Sequence, residues 1–129
     1  MASIFSRIVS GEIPSHKIAE NDEFLAFLDA FPIAKGHTLV IPKKEIDYLF
    51  DLDDAMYTRL FLFARRIVPA LEKTVSCLRV GLSVIGLEVP HAHIHLLPLN
   101  AMADADFSKK IKITQEELAA LASEIRGNL

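Results

Sequence analysis

The stretch Val89-Pro90-His91-Ala92-His93-Ile94-His95-Leu96-Leu97-Pro98 carries three of the chain's five histidines, at i, i+2 and i+4. Apolar residues separate them. Period two is the signature of a strand, whose successive side chains point to opposite faces. On that reading His91, His93 and His95 line one face, and Ala92, Ile94 and Leu96 pack into a core behind them. At ~3.3 Å rise per residue, neighbouring imidazoles are spaced roughly 6.6 Å apart and the outer pair roughly 13 Å. One zinc ion with Zn–N bonds of about 2.0–2.1 Å does not easily collect all three, although two of them with a distant third ligand would serve. Imidazole titrates near pH ~6.5 and can be nucleophile, acid or hydrogen-bond donor around neutrality. The face therefore reads as a site of nucleophilic or acid–base chemistry rather than a solvated surface.

Upstream of this stretch the pattern is one of short strands. Residues 16–20 read as a strand, Asn21-Asp22 as a turn and residues 24–28 as the return strand, which together make a hairpin. Lys35-Gly36 turns the chain into His37-Thr38-Leu39-Val40-Ile41, a β-branched run stopped by Pro42, with Lys43 and Lys44 as its solvated end. Residues 78–85 form the next strand, and Gly86-Leu87-Glu88-Val89 links it to the three histidines. Before the first strand, residues 4–10 form a short helix with Ile4, Phe5 and Ile8 on one side, ended by Gly11 and Pro14.

From Asp53 the period changes. Met56, Leu60, Phe63, Ala64, Ile67, Val68 and Leu71 fall on one face of an amphipathic helix, with Asp51, Asp53 and Asp54 supplying negative charge at its start. Pro69 removes an N–H and crowds the carbonyl four residues back, so a kink or an early end is expected near residues 65–68. Arg65, Arg66 and Lys73 fall on its solvated side. At the far end Thr114-Gln115-Glu116-Glu117 is an N-cap with a capping-box glutamate, and Leu118, Leu121, Ala122 and Ile125 continue at helical spacing to Gly127 as C-cap. This last helix shows no chemistry of its own. Strands in hairpins with separate helices, lacking βαβ alternation, define an α+β domain: an antiparallel sheet of about five strands with a long central helix and a C-terminal helix.

Composition sets the outer bounds. A chain of 129 residues, 51% apolar and 24% charged, is expected to form a single packed domain over residues 1–129. A net charge of −3 gives no sequence-wide basic character for nucleic acid, while single nucleotides need only a few local groups. The single cysteine, Cys77, rules out an intrachain disulfide and, between Val75 and Leu78, reads as a buried thiol. The N-terminus lacks a sustained apolar run and no stretch approaches ~18 uncharged apolar residues, so the expectation is a cytoplasmic protein with no membrane partner.

The run His91-Ala92-His93-Ile94-His95-Leu96-Leu97 resembles the alternating histidine motif of the histidine-triad (HIT) nucleotide hydrolases and transferases. Ile4-Phe5 with Ile8 and Glu12-Ile13-Pro14, then residues 25–32 and Gly36-His37-Thr38-Leu39-Val40-Ile41-Pro42-Lys43, resemble that family's N-terminal half in the same order, so the likeness covers most of residues 3–99. It implies that His93 attacks the α-phosphorus of a nucleotide, that His91 and His95 orient it and donate to phosphate oxygens or the leaving group, and that His37 supports them. It further implies a base packed near Ile4, Phe5 and Ile8, and ribose hydroxyls on Asp29 with Phe27, Leu28 and Ala30 beside it. Phosphate contacts would come from the loop holding Gly86, Glu88 and Val89. Many relatives have Gly-Gln-[Ser/Thr]-Val in that loop; Leu87 and Glu88 depart from it, and Val80 stands where an Asn or Gln is usual upstream. The resemblance implies a homodimer acting on a purine nucleotide, closest to the nucleoside phosphoramidases. Dinucleoside polyphosphate hydrolysis, nucleotidyl transfer, a nucleotide-binding regulatory module and a metalloprotein using two triad histidines stand as alternatives. No cofactor and no metal are expected.

Overall fold

A computed structural model describes residues 2–129. Five strands, β1 (Lys17–Glu20), β2 (Phe24–Leu28), β3 (Thr38–Pro42), β4 (Arg79–Ser83) and β5 (Ile94–Leu99), form one sheet in the order β1-β2-β3-β5-β4. Every neighbouring pair is antiparallel. Helix α1 (Ile4–Val9) lies on one face of the sheet; α2 (Asp54–Thr74) and α3 (Gln115–Gly127) cover the other. The α+β architecture is the one the patterning predicts.

Burial on both faces explains why β2 is apolar at every position and β3 at all but Thr38, whose hydroxyl donates to Gly36 O. Phe24, Ala26, Leu28, Val40, Ile94 and Leu96 join Leu60, Ile67 and Leu71 of α2 and Leu118 and Ile125 of α3 in the larger cluster. Leu25, Phe27, Leu39 and Ile41 pack with Phe5 and Ile8 in the smaller one. The register places Leu39 opposite both Phe27 and His95, so His95 emerges on the α1 face. The hairpin turn is fixed by Asn21 Oδ1, which accepts from the backbone N–H groups of Glu23 (2.9 Å) and Phe24 (2.8 Å).

The details differ from the sequence reading at seven places. The strand of the histidines begins only at Ile94, so His91 and His93 precede it. Pro90 has no N–H to give, and the next two backbone N–H groups turn away, His91 to Val89 O (2.8 Å) and Ala92 to Ile46 O (2.7 Å). β4 stops at Ser83, paired with His95, because β5 offers no partner beyond Ile94. β1 starts at Lys17 rather than His16.

Pro69 neither ends α2 nor stops it at 65–68; the helix runs 21 residues to Thr74. Pro69 and Arg65, four residues back, are both exposed, so the carbonyl that loses its N–H faces water. Asp53 caps the start, accepting from Met56 N at 2.8 Å. The thiol of Cys77 is only half-buried, since the flanking Leu78 stands 79% exposed. Thr114 and Glu117 do form the capping box, each bond 3.1 Å, and α3 includes Gly127 and ends on Asn128. Lys43 is tied to Glu20 at 2.8 Å rather than free in solvent.

Candidate active site

Gly36 prepares the site by taking φ +87°, where a side chain is strained. A Cβ there would come within 2.9 Å of Val75 Cγ2 and 3.1 Å of Pro98 Cγ. The turn delivers His37, almost fully buried, beneath the sheet surface. His37 Nδ1 accepts the backbone N–H of Ile33 (3.2 Å), so in the neutral ring the proton is on Nε2. That nitrogen lies 2.9 Å from His95 Nδ1 and 3.5 Å from Asp29 Oδ2. Burial pushes His37 down to about 4, only partly opposed by the Asp29 carboxylate. Burial, with the neighbouring His37 and His93 and the Lys110 charge, pushes His95 down to about 3. Both rings are neutral near pH 7. His37 therefore donates to His95 Nδ1, and His95 carries its own proton on Nε2.

The same reasoning fixes the other two histidines. His93 Nδ1 stands 2.7 Å from the carbonyl of His91. A carbonyl only accepts, so His93 Nδ1 bears the proton and Nε2 keeps its lone pair. His91 Nε2 donates to Pro42 O (2.8 Å), and its Nδ1 faces Ser3 Oγ (2.8 Å). Burial lowers the pKa of His91 as well. Ser3 also caps α1 by accepting from Ser6 N, and Glu45 accepts from Ser3 N and Ser6 Oγ. Phe5 stands edge-on to His93 at 5.0 Å and to His91 at 5.9 Å.

A cavity of ≈ 510 Å³ opens on this face, within the range typical of small-molecule sites. His93 and His95 line it, their ring centroids 4.9 Å apart and so closer than a regular strand would set them. Of the other residues singled out from sequence, Ile4, Phe5, Ile8 and Phe27 form one wall and Leu28, Asp29 and Ala30 another. Gly86, Glu88 and Val89 line the rim, as does Leu87. His91 and His37 do not reach the cavity. His91 is wholly buried with both nitrogens engaged, so it cannot donate to a phosphate or leaving group; its contribution to His93 is its carbonyl.

The metal reading of the buried cluster meets an obstacle in the hydrogen-bond pattern. Ligand atoms of Asp29, His37 and His95 all lie within 4.8 Å of one another. A cation between them would need the lone pair of His37 Nε2, which carries the proton as long as Nδ1 accepts from Ile33. The cluster is built as a hydrogen-bond relay.

Several lining residues escaped the sequence reading. His16 bonds Gln115 Oε1 through Nε2 (2.8 Å), and the two close one end of the cavity. Phe107 stands edge-on to His95 at 4.8 Å and to His37 at 6.1 Å. Lys110 lines the cavity next to them. None follows a local pattern that sequence could expose; only the capping box at Thr114 marks where the segment turns into α3.

Residues 10–102 match the HIT domain. The chain belongs to the HIT family. This HIT protein is 35% identical over 131 residues to adenosine 5'-monophosphoramidase HNT1 of Saccharomyces cerevisiae, a match covering 93% of the chain and 83% of the relative. It is 30% identical over 135 residues to adenosine 5'-monophosphoramidase hnt1 of Schizosaccharomyces pombe, covering 100% and 99%. Among solved structures, a HIT-like protein involved in cell-cycle regulation from Bartonella henselae superposes with a TM-score of 0.87 at 30% identity, covering 98% of this chain and 96% of that one. The HIT fold and the HIT match thus agree with the triad geometry.

Proposed function

We propose that this HIT protein hydrolyses a nucleoside phosphoramidate or a related conjugate of a purine nucleotide, through a nucleotide bound covalently to His93. The observation that carries the reading is the bond from His93 Nδ1–H to the carbonyl of His91, which leaves Nε2 as a free nucleophile on a cavity large enough for a nucleotide. Attack by Nε2 forms an N–P bond and breaks the bond from phosphorus to the leaving amine, which takes up a proton as it departs. The ring becomes cationic, and the His91 carbonyl then accepts a charge-assisted hydrogen bond, about twice as strong as a neutral one. Water cleaves the N–P bond in the second step, so one difficult displacement becomes two easier ones. His95 Nε2–H supplies a fixed donor to a phosphoryl oxygen, held in that tautomer by His37. Asp29 Oδ1 accepts from Phe31 N (2.8 Å), and the lone pairs left on its carboxylate suit ribose hydroxyls. The two yeast relatives named as adenosine 5'-monophosphoramidases support this substrate class.

The protein is further proposed to work as a homodimer. Tyr57, Phe61, Leu62 and Val68 of α2 with Val80 and Leu82 of β4 form an apolar groove beside the unpaired edge of β4. A second copy would cover both the groove and the edge.

Rapid quenching of a labelled adenosine phosphoramidate tests the mechanism. The wild type should yield a protein-bound nucleotide on His93; His93→Ala should bind adenosine monophosphate normally and lose several orders of magnitude in turnover. An adduct on another residue, or an active His93→Ala enzyme, refutes the covalent reading. A wild type that binds nucleotide with no turnover identifies the regulatory module instead, an outcome that the carboxylate of Glu88 at the rim favours.

A further inference from the structure

We propose that Lys110 reaches into the cavity from the C-terminal segment and binds the phosphate of the nucleotide, an inference that rests on the nucleotide reading above. The charge balance of the cavity demands such a group. Among the described residues that line it, Asp29 and Glu88 are carboxylates, and Lys110 is the one lysine or arginine. His95 is neutral, so it supplies a dipole and no charge. A nucleotide phosphate entering without Lys110 would meet two carboxylates and nothing of opposite sign. The rim loop brings Leu87 and Glu88, and neither side chain offers a phosphate a positive charge or an N–H.

The backbone that carries Lys110 is held on both sides. Phe107, three residues before it, packs against the rings of His95 and His37. Ile111, directly after it, donates its N–H to Pro32 O at 2.9 Å, at the end of the loop that presents Asp29. Five residues on, Gln115 is tied to His16. Lys109 pairs with Asp106 at 3.9 Å, whereas Lys110 makes no ion pair among the described residues. Its charge is near enough to help depress His37 and His95. A cation carried by a held backbone beside two neutral imidazoles, with no ion-pair partner among the described residues, is arranged for an incoming anion.

Calorimetric titration with adenosine monophosphate and with adenosine tests the assignment, on the wild type, Lys110→Ala, Lys110→Arg and Lys110→Glu. Losing a charged hydrogen bond at an exposed position should weaken monophosphate binding roughly tenfold in Lys110→Ala at low salt. Lys110→Glu should weaken it further, and Lys110→Arg should restore most of it. Adenosine, with no phosphate, should bind all four within about twofold. The difference between wild type and Lys110→Ala must shrink as salt rises. With phosphoramidate substrate the loss should appear in KM more than in kcat. Equal weakening of adenosine and monophosphate would reveal a wall residue only, and unchanged monophosphate binding in Lys110→Ala would equally overturn the proposal. A wild type that binds no monophosphate would remove the nucleotide reading and this inference together. One that binds it with Lys110→Ala unaffected would remove this inference alone.

Discussion

The ring of His91 is held at both nitrogens, by Ser3 Oγ on one side and Pro42 O on the other, while its backbone carbonyl accepts from His93 Nδ1 and so aims the proposed nucleophile. Ser3 thus serves two structures at once, capping α1 and holding His91. Ser3→Ala should cost about 1 kcal/mol of stability as a lost N-cap. It should also lower kcat several-fold with KM nearly unchanged, because the ring that fixes the His91 carbonyl loses a partner. Urea unfolding and steady-state kinetics on the one variant check both. The motif itself was legible in the sequence, and so were the roles of His93 and Asp29 as cavity residues. The orientation of His91 was not. Alternation predicts three rings on one face, yet the strand starts at Ile94, and the direction of His91 is set by Ser3, Pro42 and Ile46, which are remote in the chain.

Among the elements, α2 shows what hydrophobic period reveals and what it leaves open. Leu60, Phe63, Ala64, Ile67 and Leu71 are all buried as the spacing predicts. The helix outlasts Pro69 because about four turns of packed apolar side chains outweigh one missing bond on the solvent side. Proline still disfavours a helix interior by about 3 kcal/mol relative to alanine, and its stiffening of the unfolded chain returns about 0.4–1 kcal/mol. Pro69→Ala should therefore stabilise the protein by about 2 kcal/mol in urea unfolding, with activity unchanged; a destabilised variant would mean that the pyrrolidine ring makes contacts the helix needs. Strand ends were less legible than strand centres. β4 stops where β5 ceases to pair with it, and no local residue at Val84 or Ile85 announces that limit.

At the scale of the whole molecule, burial of imidazoles couples folding to pH. His37 is pushed down to about 4 and His95 to about 3, from 6.5. Below pH 6.5 the unfolded chain takes up protons that the folded chain refuses. The stability these rings allow is fully present above 6.5 and falls as pH drops toward 4. Each fully titrating ring adds a slope of about 1.4 kcal/mol per pH unit. The carboxylates whose pKa is lowered by folding, Glu20, Glu23, Glu45 and Asp106, act below their ordinary values of 4.5 and 3.8. Urea unfolding between about pH 6.5 and 5 therefore isolates the histidines, and His37→Gln should flatten the slope there; an unchanged slope would contradict the neutral relay. The proposed dimer makes its own prediction. Leu82, 50% exposed on the edge strand, when changed to glutamate should shift sedimentation from two copies to one without loss of secondary structure. The sheet and its helices could be read from local patterns. The cavity wall built by Phe107, Lys110 and Gln115 could not, because it is placed by one backbone bond to Pro32 and by the docking of α3 on β1 and α2.

That wall has a consequence for how the protein can change. The HIT match ends at residue 102, and Phe107, Lys110 and Gln115 all lie beyond it. His93 and the His37–His95 relay are thus written in one portion of the chain, and a side of the cavity that His93 and His95 line is written in another. Exchanging residues 107–115 would keep the hydrogen bonds of His93 and of the His37–His95 pair while altering the shape and charge that a substrate meets, together with the Phe107 and Lys110 surroundings of His95. Such a chain can alter what it selects while every reacting group stays in the other portion.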